Sequence, residues 1–322
     1  MKPGQVRFDF QIDKIKTLFE ESKTVENQSL WLYLHDLRTP VFMLEGLAKL
    51  YASLYDDNYF EKIKDKFKLV EDALGALDYY ASFQKELSAN PEFPASLNLY
   101  FQQKTNEKID HLQQLLEEDN WLNGKQLQNI SKKLGDINWE DESVEKELLT
   151  KFYKKQIRKI NEFVSEVGFP LHHIEDHVHE LRRKIRWLSI YPQAIRGAII
   201  LQETKPKPQY LKKYLTPEIV NSPFNVLPVS DELTAFLTLD KNKFLALSWM
   251  IAELGKLKDK GLKINALKEA FQTTMLLKDK DAYAKAYNYL GEDYPHLDEI
   301  LEMASNIAQQ YFEENNLDFI LE

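Results

Sequence analysis

The chain has 322 residues, 43% hydrophobic and 29% charged, with a formal charge of −9. That balance is typical of a folded soluble protein, and the length favours two packed cores over one. It contains no cysteine, which removes disulfides, thiolate metal sites and cysteine nucleophiles together and fits a reducing compartment. The acidic excess argues against general nucleic-acid binding and leaves room only for a local basic patch.

The opening MKPGQVRFDFQIDKIK has no apolar run of the kind a secretion signal needs. Beyond it, helical spacing dominates. Leu30, Leu34, Leu37, Val41, Leu44, Ala48 and Tyr51 alternate steps of four and three, predicting an amphipathic helix with one packing seam. PEFP at 91–94 predicts a break between helices, and GDINWEDES at 135–143, acidic and poor in apolar residues, a boundary between halves. Ile174, Val178, Leu181, Ile185 and Leu188 repeat the helical pattern. Pro206, Pro208, Pro217, Pro223 and Pro228 gather between 205 and 230 and predict an insertion with little regular helix. Helical patterns resume near Lys243. There FLALSWMIAEL at 244–254, too short to span a bilayer, reads as a buried helix.

No apolar–polar alternation is sustained, so the expected class is all-α, as two helical bundles over 1–140 and 141–322. The second bundle carries the proline-rich insertion at about 204–240. Ten glycines, none clustered, give no phosphate loop, dinucleotide fingerprint or nucleophile elbow. No cofactor, no membrane partner and a cytoplasmic location are the expectations.

Self-similarity refines this picture. LHDLR at 34–38 and VHELR at 178–182 each order an aliphatic, a histidine, an acid, a leucine and an arginine. The aliphatic and the leucine fall on the seam, and the histidine and arginine flank it. LGALD at 74–78 and LGKLKD at 254–259 follow the two histidine segments, which predicts an internal duplication. With these motifs the chain resembles the CHAD family, the conserved histidine α-helical domain. That family has two similar four-helix bundles, each with a histidine helix reading roughly H-x-x-R, further basic residues, and then an L-G segment. The resemblance runs from about residue 10 to residue 300 on short motifs. It implies a non-enzymatic protein that binds inorganic polyphosphate or a related polyanion in a basic groove. The second motif keeps His179, Arg182 and Arg186, with Arg183 and Lys184 beside them and Ser189 where another base belongs. The first keeps His35 and Arg38, with Phe42, Met43 and Glu45 at usually basic positions. The anion-binding set implied is therefore His35, Arg38, His179, Arg182, Arg183 and Arg186.

Spacing of the second motif admits two readings, and it is the repeat that favours the anion. His179, Arg182 and Arg186 lie three and four apart and share a helix face, where guanidinium forks grip phosphate oxygens and release counterions. Lys154, Lys155, Arg158 and Lys159 would extend the patch if their helix packs antiparallel across the Gly168–Pro170 turn. The plain reading is a solvated basic surface paired with Glu162, Glu166, Glu175 and Glu180. His173 and His177, one turn apart with Asp176 or Glu180, have chelating spacing, but the pattern is short and reads as polar-face histidines; no metal is expected. Two other functions stand beside anion binding. HDLRTPVFMLEGLAKL at 35–50 resembles the phospho-accepting H-box of sensor histidine kinases, which would make His35 the acceptor of a phosphotransfer relay, since no ATP-binding domain follows. The other is a protein–protein scaffold that has lost the anion.

Overall fold

The computed structural model describes residues 2–55, 58–203, 208–229, 235 and 237–321. It is all-α. Among the described residues, twelve α-helices follow in chain order: α1 (Pro3–Ser22), α2 (Gln28–Leu34), α3 (Arg38–Ala52), α4 (Asn58–Ser88), α5 (Ala95–Glu118), α6 (Lys125–Gly135), α7 (Glu142–Val167), α8 (Glu180–Ala194), α9 (Pro217–Val220), α10 (Lys241–Met275), α11 (Asp279–Leu290) and α12 (Leu297–Glu313). Among the described residues, no helix is long and apolar enough to cross a membrane. Contacts divide the chain into two compact units. The first is Met1–Glu142 with Ala266–Ala282, and the second is Ser143–Asn265 with Tyr283–Glu322.

In the first unit, Pro3 occupies the opening turn of α1, where its missing N–H is no loss. Phe8, Tyr51, Phe60 and Trp139 form an aromatic cluster, with Tyr51 edge-on to Trp139 at 5.3 Å. Gly4 lies so close that a Cβ there would fall 2.3 Å from the Trp139 ring. Arg7 is buried and donates from Nη1 to the Tyr51 hydroxyl at 2.7 Å. The end of α10, from Ala266, belongs to this unit. Its Glu269 accepts hydrogen bonds from Tyr100 at 2.6 Å and Tyr80 at 3.2 Å.

The seam of the first motif is real in α3, where Val41, Leu44, Ala48 and Tyr51 are buried. Leu34 departs from it and is 66% exposed. The reason is a break: α2, capped by Asn27 accepting from the Leu30 N–H, ends at Leu34, and Asp36 takes a left-handed φ of 60°. The helix restarts out of phase, so Leu32 and Leu37 carry the burial. The second motif is not broken. A π-helical turn at Ile174–His179 runs directly into α8, and Ile174, Val178, Leu181, Ile185 and Leu188 are all buried. Each of those side chains contributes about 1.5–3 kcal/mol of burial.

Within the second unit, α7 and α8 run antiparallel. Phe152 meets Tyr191 with ring centroids 5.0 Å apart, the Tyr153 hydroxyl donates to the Leu188 carbonyl at 2.6 Å, and Lys184 lies over Phe163 at 5.0 Å. The apolar run at 244–254 is buried through Phe244, Leu247, Met250 and Leu254 on α10. One feature was not expected. Two short strands, β1 (Ile199–Gln202) and β2 (Leu237–Asp240), pair in parallel with Ile199 opposite Leu237. Four residues with no regular in–out burial are too short to register as alternation. The described part of the insertion holds α9, two 3₁₀ turns, Gln209–Tyr214 and Pro223–Asn225, and β2 at its end. Pro206 lies outside the described residues.

Candidate anion site on the histidine helix

Burial of Leu181, Ile185 and Leu188 fixes the rotation of α8 and turns Arg182 along α10. Its Nε donates to the Ile251 carbonyl at 3.1 Å, and the guanidinium lies over Gly255, where a Cβ would come within 3.0 Å of Nε. Glycine inside a long helix costs about 1 kcal/mol against alanine. Here its bare backbone seats the arginine. Among the described residues no carboxylate makes an ion pair with Arg182. Burial pulls its guanidinium below its usual range, and the Asp259 charge works the other way.

His179 stands one turn earlier, half-buried. Its Nδ1 has no hydrogen-bond partner and lies 3.7 Å from the nearest Glu175 oxygen, too far for a bond. Burial lowers the imidazole pKa, the Glu175 charge opposes that, and Lys258, Arg182 and Arg183 lower it further. Arg183 donates to Glu180 at 2.7 Å, and Lys184 pairs with the other Glu180 oxygen at 3.1 Å. Burial works against the Glu180 charge, but these bonds hold its carboxyl below the ordinary carboxylate range. Lys258 pairs with Asp259 at 2.8 Å. Arg186 is half-buried one turn beyond Arg182, and Ser189 donates to its carbonyl at 2.8 Å. Around this imidazole stand Arg182, which has no carboxylate partner among the described residues, and Arg183 and Lys258, each paired with a neighbouring acid.

The first unit seats its own motif arginine in the same way and then cancels it. Arg38 lies over Gly75, where a Cβ would come 3.0 Å from Nη2. Its Nε and Nη2 donate to Glu71 at 3.0 and 2.9 Å, and Nη1 donates to Asp78 at 3.0 Å. Tyr33 donates to the other Asp78 oxygen at 3.0 Å, and burial with the Asp78 charge pushes its hydroxyl pKa up to about 12. Glu71 and Ile251 hold the same place, four residues before the glycine. Asp78 and Lys258 also correspond, three residues after it. Two carboxylates therefore neutralise Arg38, whereas Arg182 meets a neutral carbonyl with a lysine nearby.

The chain matches no family model, no curated protein and no solved structure.

His35 caps the end of α2, exposed, with its ring stacked on Trp31 at 3.7 Å. Its Nδ1 lies 2.8 Å from the Trp31 carbonyl. A carbonyl only accepts, so Nδ1 carries a proton, and in the neutral ring the lone pair is on Nε2. Asp36 is engaged by the Thr39 hydroxyl at 2.8 Å. Glu45 is buried on α3. Burial and the Glu71 charge raise its pKa to about 7 against the pull of Lys68 and Lys49. His172, His173 and His177 gather at the π-turn, where His177 Nδ1 accepts the His172 N–H at 3.1 Å. Among the described residues, no group of three or more His, Asp or Glu side chains could hold a metal ion.

Lys154, Lys155, Arg158 and Lys159 are exposed on α7. They do not continue the Arg182 face, because Lys184, which touches α7, is about 200° around the helix from Arg182. Sequence reading passed over Lys258 and the two glycine seats. The available signal was an isolated glycine inside a strong helical pattern.

Proposed function

We propose that the chain is a non-enzymatic anion-binding protein similar to CHAD domains, with the working site in its second unit. Phosphate groups of inorganic polyphosphate, or of another phosphorylated polyanion, sit against His179, Arg182, Arg183 and Lys258, with Arg186 one turn along. The observation that carries this reading is the contrast between two arginines in like seats: Arg38 is held by Glu71 and Asp78, and Arg182 by no carboxylate among the described residues. A phosphate group beside these side chains would relieve the repulsion among the cationic neighbours of His179. His35 and Arg38 are the spent counterpart, and the two motifs are relics of one duplicated helical unit. Binding of labelled polyphosphate tests the reading, with Arg182→Glu/Arg186→Glu as the variant and helical content as the control. Lost binding with intact helix is the expected result. Unchanged binding ends the assignment.

A second reading rests on His35, whose exposed Nε2 lone pair is the geometry a phosphoryl acceptor needs. Its mark is an acid-labile phosphate carried by the wild type and absent from His35→Ala. No such phosphate in the presence of a competent phosphodonor removes it.

A further inference from the structure

Helix α7 carries a concentration of positive charge. Its inner face is Leu149, Phe152, Tyr153, Ile157 and Ile160, all buried. On the outer face Lys154, Lys155, Arg158 and Lys159 are exposed, and among the described residues none has an ion-pair or hydrogen-bond partner. Some lysines elsewhere pair with an acid one turn away, as in Lys16–Asp13 and Lys68–Asp72. Here the turns bring like charges together: Lys151 with Lys155, Lys154 with Arg158, and Lys155 with Lys159. Like charges four apart work against a helix. The helix nonetheless keeps them.

Acids bracket the patch. Glu147, paired with Lys151, stands before it, and exposed Glu162 and Glu166 stand after it. Glu147 and Glu162 are about 22 Å apart at 1.5 Å per helical residue. A long polyanion or a flat anionic membrane laid along the face would meet those acids at both ends. The aromatic rings of this stretch, Phe152 and Tyr153, are buried, so no base can stack on them. A short run of acidic side chains with a basic residue beyond each end complements all of the charges.

From this pattern we infer that the outer face of α7 docks a short acidic segment of a partner protein, flanked by basic residues. This face is distinct from the proposed phosphate site and stands or falls without it. The probe is a synthetic peptide of four glutamates bracketed by lysines, titrated at low ionic strength against the full chain. Competitors are long poly-glutamate, polyphosphate and phosphatidylserine vesicles. Wild type binds the peptide. Combined Lys154→Gln, Lys155→Gln, Arg158→Gln and Lys159→Gln weakens it roughly tenfold or more, from four exposed ion pairs. Arg182→Glu/Arg186→Glu leaves peptide binding unchanged. Glu147→Lys/Glu162→Lys shifts preference towards the long polymer. No peptide binding by wild type, equal binding by the glutamine variant, or stronger α7-dependent binding of polyphosphate or vesicles overturns the inference.

Discussion

Replacing Glu45 with glutamine keeps the side chain's shape and removes its charge. Glu45 is buried on α3, repelled by Glu71 and Asp72 of α4 and attracted by Lys68 of α4 and Lys49 of its own helix. Burial is the largest influence, and the pKa rises from its ordinary 4.5 to about 7. A shift of this size corresponds to about 3 kcal/mol between the two protonation states. The folded state holds the proton more tightly than the unfolded state. Stability from this group is therefore complete below the unfolded pKa and declines as pH rises from 4.5 through about 7. Glutamine has no proton to lose. Glu45→Gln should match wild type near pH 4, below the unfolded pKa, and be more stable by about 3 kcal/mol near pH 8. Urea unfolding followed through the tryptophans of the first unit, across that pH range, measures the difference. A difference that does not grow with pH, or a variant less stable at pH 8, would refute the argument, since it would mean the folded state holds Glu45 as a favourably paired carboxylate.

Other substitutions test neighbouring claims. Gly4→Ala sets a methyl against the Trp139 ring, which a Cβ would approach to 2.3 Å, and should destabilise the first unit by about 1–3 kcal/mol in denaturant unfolding. Tyr51→Phe removes the hydroxyl that accepts from buried Arg7 and should lower stability by about 1–3 kcal/mol by the same assay. Histidine NMR titration should place the His179 pKa below its ordinary 6.5, rising when polyphosphate is added. A His179 pKa that starts above 6.5 contradicts its burial and the crowding of Lys258, Arg182 and Arg183 around it, and one that does not respond to polyphosphate contradicts the proposed site.

Burial periodicity made most of the helices legible, because apolar residues three and four apart must share a face. Val41, Leu44, Ala48 and Tyr51 in α3, and Leu181, Ile185 and Leu188 in α8, are buried as their spacing requires. Leu34 was misplaced because the phase depends on an unbroken helix, and the left-handed Asp36 breaks it. Spacing treats a pattern as continuous until a proline or glycine interrupts it, and His35–Asp36–Leu37 contains neither. The strands were missed for want of length. At the site, the histidine and arginine positions were readable, but their charge state was not. Whether an arginine is available to an anion depends on what lies across from it on another helix, and Glu71 and Ile251 become its neighbours only once the chain folds. Lys258 lies in LGKLKD, and nothing local in the sequence joins it to His179.

The most direct test of the account is the affinity of labelled long-chain polyphosphate across a salt titration, for wild type, Arg182→Glu/Arg186→Glu and Arg38→Gln. If Arg182 is the available cation and Arg38 is already neutralised, log affinity for wild type falls steeply with log salt, losing about one unit of slope per phosphate contact. The double variant flattens that slope and weakens binding, and Arg38→Gln leaves both unchanged. Loss of binding in Arg38→Gln alongside a normal double variant would place the anion in the other unit and contradict the account.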